Sequence, residues 1–521
     1  MSAQSEIDAT PIAKPVSRAG AFWTLLGIFF VASALLMMPS IFYWKVEPFR
    51  LTRNEFDFFL GQLRGTFGLD TLELFYLGKC IHFVLFLVVG WCFYKLVAKF
   101  ADEIEALSTR TLWFLALGAG FIYAIGLPWV SPDVFYYIAK GWMEANYKLD
   151  IYTYSLRESP GFPADQMYSN VIPSFALWPG NYGPLHQNIC ASVAALSGGS
   201  VKLALIILKG FNLTLYLATA AITASIAKSQ GLQYRRVFLA YALNPLGLFA
   251  LVTCVHNDAL QNAVLILTVL CVVKERPAFS GALLGAALAY KYVAIALVPA
   301  LILYWATRLN APRRWRDAGW CLLALLLAIG ASHLLYPLSF RNMLVIYSGG
   351  WSPIRGSIHF ILIPIAELLA LPNEVIRQVL TLLFVMVGGA ITLWPHFRRR
   401  QLAPLDVVFQ WFWIFAIYYL TAVAVLEWYL TWILGLGFLL LGRQGLRSVL
   451  ILSSFYLPLV IFTIRSDVEW PSNLMLFLLM AACLALGAID AMRRGSILAD
   501  AVGCGGPVIP AHGSEPQEGS V

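Results

Sequence analysis

The residues whose types could do chemistry begin with Asp133. It stands in SPDVFYYIAKGW, the start of a stretch from Ser131 to Gln187 that runs on through KLDIYTYS and closes on WPGNYGPLHQN. A carboxylate held at a helix terminus and partly desolvated is suited to take a proton from an acceptor hydroxyl as a general base. Ser131-Pro132-Asp133 is equally a good helix start, so a capping role also accounts for Asp133 on spacing alone. Tyr136, Tyr137, Asp150, Tyr182 and His186 add hydroxyl, carboxylate and imidazole groups to the same stretch.

A cation that could complement this chemistry is Lys291, set in GALLGAALAYKYVAIALVPALILYW between Tyr290 and Tyr292. It either snorkels to an interface or presents an ammonium to a phosphate at the turn of two short helices. Arg341 and Arg355, the latter between Trp351-Ser352-Pro353 and His359, are anion-binding candidates or solvated loop charges. His256, Asn257 and Asp258 lie in HNDAL. Asn257 or Asp258 suits a helix N-cap, and a pocket role is compatible with that. Trp428 and Tyr429 stand where an aromatic belt occurs, and the belt accounts for each singly.

The elements that must position these groups cross a membrane. The 521 residues are 60% hydrophobic and only 12% charged, with a mean hydropathy of +0.74. Apolar stretches of roughly 17 to 25 residues recur along the chain, each long enough to span as a helix. The fold class is therefore an all-α polytopic membrane bundle, of about 12 to 14 transmembrane helices on this reading. The formal charge of +8 sits in short inter-span loops, the signature of cytoplasmic loops rather than of a nucleic-acid partner. The eight cysteines form no CxxC pair and have no histidine at metal-ligand spacing, so neither disulfides nor a metal is implied.

Basic loops on one side orient the spans. Residues 1–19 read as a cytoplasmic segment, 20–494 as the membrane domain with 131–187 as an external loop, and 495–521 as a disordered cytoplasmic tail. Residues 45–73 read as an external loop with an interfacial helix, and 186–200 as an external or re-entrant helix. The apolar run around Lys291 has to go out and return within about 30 residues, which puts Lys291 at an external turn. This topology gathers Asp133, Asp150, His186, His256, Asp258, Lys291, Arg341, Arg355, Trp428 and Tyr429 on one side. Ionisable groups at membrane level are costly unless they face a polar cavity, so their convergence points to a functional pocket.

Taken in order, SPDVFYYIAKG, LDIYTYS, WPGNYGPL, NPLGLFALVTCVHNDAL, GALLGAALAYKYVAIALVP and EWYLTWILGL resemble the polyprenol-phosphate-mannose-dependent α-mannosyltransferases of the actinobacterial lipoglycan type. These are membrane glycosyltransferases of the GT-C class. The resemblance covers roughly Asp133 to Leu441. It departs at Lys140 before Gly141, and at Asp150-Ile151-Tyr152 where the family has an Asp-Pro-Tyr turn.

The resemblance implies a GT-C-like bundle whose external loops form the active site. It implies an enzyme that moves a hexose, mannose in this family, from a polyprenyl-phosphate donor to a lipid or glycan acceptor. Transfer proceeds with inversion, at the outer face of the cytoplasmic membrane, without cofactor or metal. It assigns the base to Asp133. With it, Lys291, Arg355 and Arg341 are expected at the donor phosphate. Tyr136, Tyr137, Asp150, Tyr182, His256, Asn257, Asp258, Trp428 and Tyr429 are expected at sugar or acceptor. The opposing class is a transporter or flippase of a lipid-linked glycan, in which two related halves and midplane charges are usual. No internal repeat is visible.

Overall fold

A computed structural model describes residues 18–43, 71–128, 131, 133–165, 167–168, 171, 175–307, 313–348, 358–397, 402–422, 425–440, 446–463 and 469–493. Every regular element among them is helical. The chain runs through α1 (Arg18–Tyr43), α2 (Thr71–Lys99), α3 (Thr109–Ile125), α4 (Asp133–Tyr147), α5 (Pro184–Ser197), α6 (Val201–Ser229) and α7 (Tyr234–Ala242). It continues through α8 (Asp258–Val273), α9 (Pro277–Tyr290), α10 (Val298–Thr307), α11 (Arg314–Leu334), α12 (Pro337–Ser348), α13 (His359–Leu368) and α14 (Asn373–Phe397). The last are α15 (Pro404–Thr421), α16 (Leu434–Leu439), α17 (Leu446–Thr463) and α18 (Glu469–Arg493).

Among the described residues, six helical stretches are long and apolar enough to cross a membrane, and shorter apolar helices accompany them. The protein is an all-α polytopic membrane protein. Of the expected external loop 45–73 only 71–73 are described, and they already belong to α2; its expected interfacial helix and the tail after 494 lie outside the described residues.

Local sequence explains the helix ends. Ser108 and Ser200 accept hydrogen bonds from the backbone N–H groups of Thr111 and Leu203, capping α3 and α6. Pro184 occupies the first position of α5, where its missing N–H costs nothing. Of the stretch 186–200, expected as an external or re-entrant helix, residues 198–200 turn toward α6, and those up to Ser197 belong to α5, which packs along α4. Gly141 permits that approach, since a Cβ there would stand 2.2 Å from the carbonyl oxygen of Cys190.

The run around Lys291 reverses as its length requires. After α9 the backbone becomes extended at Lys291, passes through a 3₁₀ segment at Tyr292–Leu297, and returns as α10. The Trp305 Nε1–H donates to Ser280 Oγ at 3.0 Å, so the end of α10 lies beside the start of α9. Tyr292 stacks on His333 near the far end of α11. The stretch from Ser339 that carries Arg341 reads as an outer loop after a span ending at Pro337; Pro337 instead starts α12, which runs to Ser348, in the position where proline is pre-set for a helix.

Candidate active site

The first turn of α4 carries Asp133, where the helix dipole favours a carboxylate. Tyr137, one turn on, donates its hydroxyl to Asp133 Oδ2 at 3.4 Å. His256 Nδ1 lies 3.8 Å from the same oxygen. Burial, with the Lys291 ammonium nearby, pushes His256 well below the ordinary histidine range, so it faces Asp133 as a neutral ring. Trp428 stacks on that ring with centroids 3.6 Å apart and planes 20° apart.

Lys291 lies on the other flank of the same cluster. Its Nζ donates to Asp258 Oδ1 at 2.8 Å. Their side chains are 2% and 0% exposed, a pair withdrawn from water. Asp258 Oδ1 also accepts from Trp432 Nε1. The ammonium stands 4.7 Å from the Tyr429 ring centroid, 5.1 Å from that of Trp432 and 5.8 Å from that of Tyr182. Such cation–π contacts strengthen when desolvated.

Asp133 and Lys291 are linked through Tyr182, whose hydroxyl lies 3.4 Å from that of Tyr137. His186 packs edge-on to Tyr137 at 4.8 Å between centroids and touches Tyr182 and Tyr290. Burial lowers its pKa to about 3. The carboxylate of Asp133 keeps 13% of its side-chain surface accessible, against 1% for His256. Among the charged members of the cluster, Asp133 is therefore the one most open to its surroundings.

The remaining expected residues fall in three places. Asn257 is buried, its carbonyl accepts from Tyr290 Oη at 2.9 Å, and its side-chain amide has no hydrogen-bond partner. Asp150 holds a turn, accepting from Tyr152 N at 2.9 Å and Thr153 Oγ1 at 2.8 Å, while Tyr136 donates to the carbonyls of Trp178 and Pro179. Arg341 is exposed on α12, beside Asn342, whose amide donates to the Tyr152 carbonyl; Arg355 lies outside the described residues.

Several members of the cluster are not among the residues expected from sequence. Trp432 is one, although WYLTW places it three residues after Tyr429. Residues 427–433 form a 3₁₀ helix, in which i and i+3 eclipse. Accordingly Tyr429 and Trp432 stack at 4.6 Å. Gln261, fully buried, has both amide atoms without a hydrogen-bond partner. It lies three residues along α8 from Asp258, a spacing that could have marked it. Lys140, noted only as a departure, is buried on the Asp133 face of α4; its ammonium donates to the Tyr154 carbonyl at 3.2 Å and lies over the Tyr136 ring. Burial lowers its pKa to about 7, with Asp150 opposing.

With this geometry in place, comparison with known proteins adds the following. Residues 61–307 match the family model described as alpha-(1->6)-mannopyranosyltransferase, N-terminal domain. A curated relative, alpha-(1->6)-mannopyranosyltransferase A of Mycobacterium tuberculosis (strain ATCC 25618 / H37Rv), is 24% identical over 385 residues, 69% of this chain and 70% of the relative. Over these stretches the chain is similar to alpha-(1->6)-mannopyranosyltransferases. The matched 61–307 stretch contains Asp133, His186, His256, Asp258 and Lys291, whereas Trp428, Tyr429 and Trp432 close the site from beyond it. No solved structure matches.

Proposed function

We propose that this protein is a GT-C-type glycosyltransferase that moves a hexose from a polyprenyl-phosphate donor to a hydroxyl of a lipid or glycan acceptor, with inversion, at the outer face of the cytoplasmic membrane. Mannose is the sugar suggested by the printed activity of the family and of the relative. The observation that carries the reading is the partly accessible Asp133 carboxylate, joined through Tyr137 and Tyr182 to a buried lysine.

In this reading the acceptor O–H gives its proton to Asp133 as its oxygen bonds to the anomeric carbon. The bond from that carbon to the phosphate oxygen breaks on the opposite face, and the electron pair leaves with the polyprenyl phosphate. A positioned base contributes roughly 10²- to 10⁴-fold. Cationic stabilisation of the departing phosphate falls to Lys291, which has three N–H donors and spends one on Asp258. Its pairing makes it a held charge, aimed in advance rather than recruited by the substrate. Neutral His256 and the stacked Trp428 offer a ring wall for the sugar.

The test is purified protein given a radiolabelled polyprenyl-phosphate hexose and a membrane lipid extract. Asp133→Asn is expected to abolish transfer with yield and thermal midpoint unchanged. Undiminished transfer removes Asp133 as base, and movement of the labelled lipid between leaflets without transfer replaces the enzyme reading with the transporter one.

A further inference from the structure

We infer that Lys209 and Asn212, in the middle of α6, are positioning residues that set the spacing between His256 and Asp133. The inference rests on the transfer reading above only for its kinetic test.

The chain leading to His256 leaves α-helical geometry within the bundle. After Pro245–Gly247 it widens into a π-helical stretch, Leu248–Thr253, in which Cys254 N bonds the Phe249 carbonyl at 2.9 Å. His256 N then reaches the Ala250 carbonyl at 3.2 Å. Between them Val255 has φ 57°, a left-handed conformation costing a β-branched residue on the order of 1–3 kcal/mol. Such an irregular helix end leaves carbonyls without intrahelical partners, and away from water they need donors from the protein.

Two side chains one turn apart on α6 supply them. Asn212 Nδ2 donates to the Leu251 carbonyl at 2.8 Å and to the His256 carbonyl at 2.9 Å. Lys209 Nζ donates to the carbonyls of Thr253 at 2.8 Å and Val252 at 3.3 Å. The same ammonium donates to the Gly126 carbonyl at 2.5 Å, at the end of α3 and a short way before Asp133. Thr253 Oγ1 ties the same two segments by donating to the Tyr123 carbonyl at 2.8 Å. Both residues are buried, at 3% for Lys209 and 4% for Asn212. One pair of side chains thus clamps the two strands of backbone that deliver Asp133 and His256, and it holds Val255 in a conformation the isolated turn disfavours. Displacement of reacting groups by about 1 Å can cost roughly 10²-fold in rate, so a clamp at this place acts on turnover.

The experiment compares wild type, Asn212→Leu, His256→Ala and the double variant. Asn212→Leu is expected to lower kcat by roughly ten- to a hundredfold while the donor KM stays within about twofold. In the His256→Ala background it is expected to have little further effect, because it acts through that ring. Additive losses, or a His256→Ala variant with wild-type turnover, overturn the inference. Amide hydrogen exchange provides a readout without turnover: peptides covering 250–257 are expected to exchange faster in Asn212→Leu, and unchanged exchange also overturns it. If wild type transfers no hexose from any polyprenyl phosphate, the functional reading fails and the exchange measurement alone decides the clamp. Asn212→Ala enters the same measurements if the leucine variant does not fold.

Discussion

Replacing Lys291 by methionine removes a charge and leaves its partner behind. Asp258 is fully buried and Lys291 nearly so, with 2.8 Å between their charged atoms. In that setting loss of one partner strands the other, and the cost is typically 3–5 kcal/mol. At 1.4 kcal/mol per power of ten, that is roughly two to three and a half decades in the ratio of folded to unfolded protein. Lys291→Met and Asp258→Asn are each expected to be destabilising alone. The double variant replaces the pair by groups that bear no charge, and the amide oxygen at 258 can still accept from Trp432. It is expected to lose less than the two singles together, with a coupling of roughly 1–3 kcal/mol. Denaturant unfolding of the detergent-solubilised protein, followed by tryptophan fluorescence, measures all four corners. Strictly additive losses would refute the claim that the two charges hold each other, and would return Lys291 to the role of an independent cation.

Two other perturbations follow from the geometry. Lys140 is buried with its pKa lowered to about 7, whereas an unfolded lysine titrates near 10.4, so between these values the unfolded chain binds the extra proton and stability rises with pH. Lys140→Met lacks this dependence; its thermal midpoint is expected to exceed that of wild type most below about pH 7 and least near pH 10, and a pH-independent difference would contradict the reasoning. At Gly183 a Cβ would stand 1.9 Å from the Ala289 carbonyl oxygen, backbone against backbone. Gly183→Ala is therefore expected to cost roughly 1–3 kcal/mol, and an unchanged thermal midpoint would show that α5 and α9 can part without penalty.

The apolar run lengths carried most of the architecture, because hydrocarbon thickness admits few alternatives to a helix of suitable length. The reversal at Lys291 was legible for the same reason: two basic loops on one side, separated by too few residues for two full crossings. What escaped was whatever depends on a neighbour distant in sequence. Nothing in NPLGLFALVTC signals a widened helix, whose carbonyls are met by a lysine and an asparagine on α6. Those two did carry a signal, because polar residues in mid-span are costly without a purpose. Trp428 and Tyr429 read as belt residues one at a time, and only the 3₁₀ geometry of 427–433 stacks Tyr429 on Trp432, which donates to Asp258, while Trp428 lies against His256. Asp133 as base or cap could not be separated by spacing, since a first-turn carboxylate satisfies both descriptions.

The reversal at Lys291 also bears on how the protein is made. On the proposed outward-facing topology, a hairpin of two short helices with an ammonium at its tip carries that charge through hydrocarbon during insertion, at a cost of roughly 2.5–3.5 kcal/mol on translocon scales. Asp258 opens the preceding helix, only 33 residues earlier, close enough to enter the bilayer in the same event. If the two travel as a pair, the nascent segment crosses as a neutral dipole, and the polar heart of the bundle comes together before the later helices, with Trp428 and Trp432, have left the ribosome.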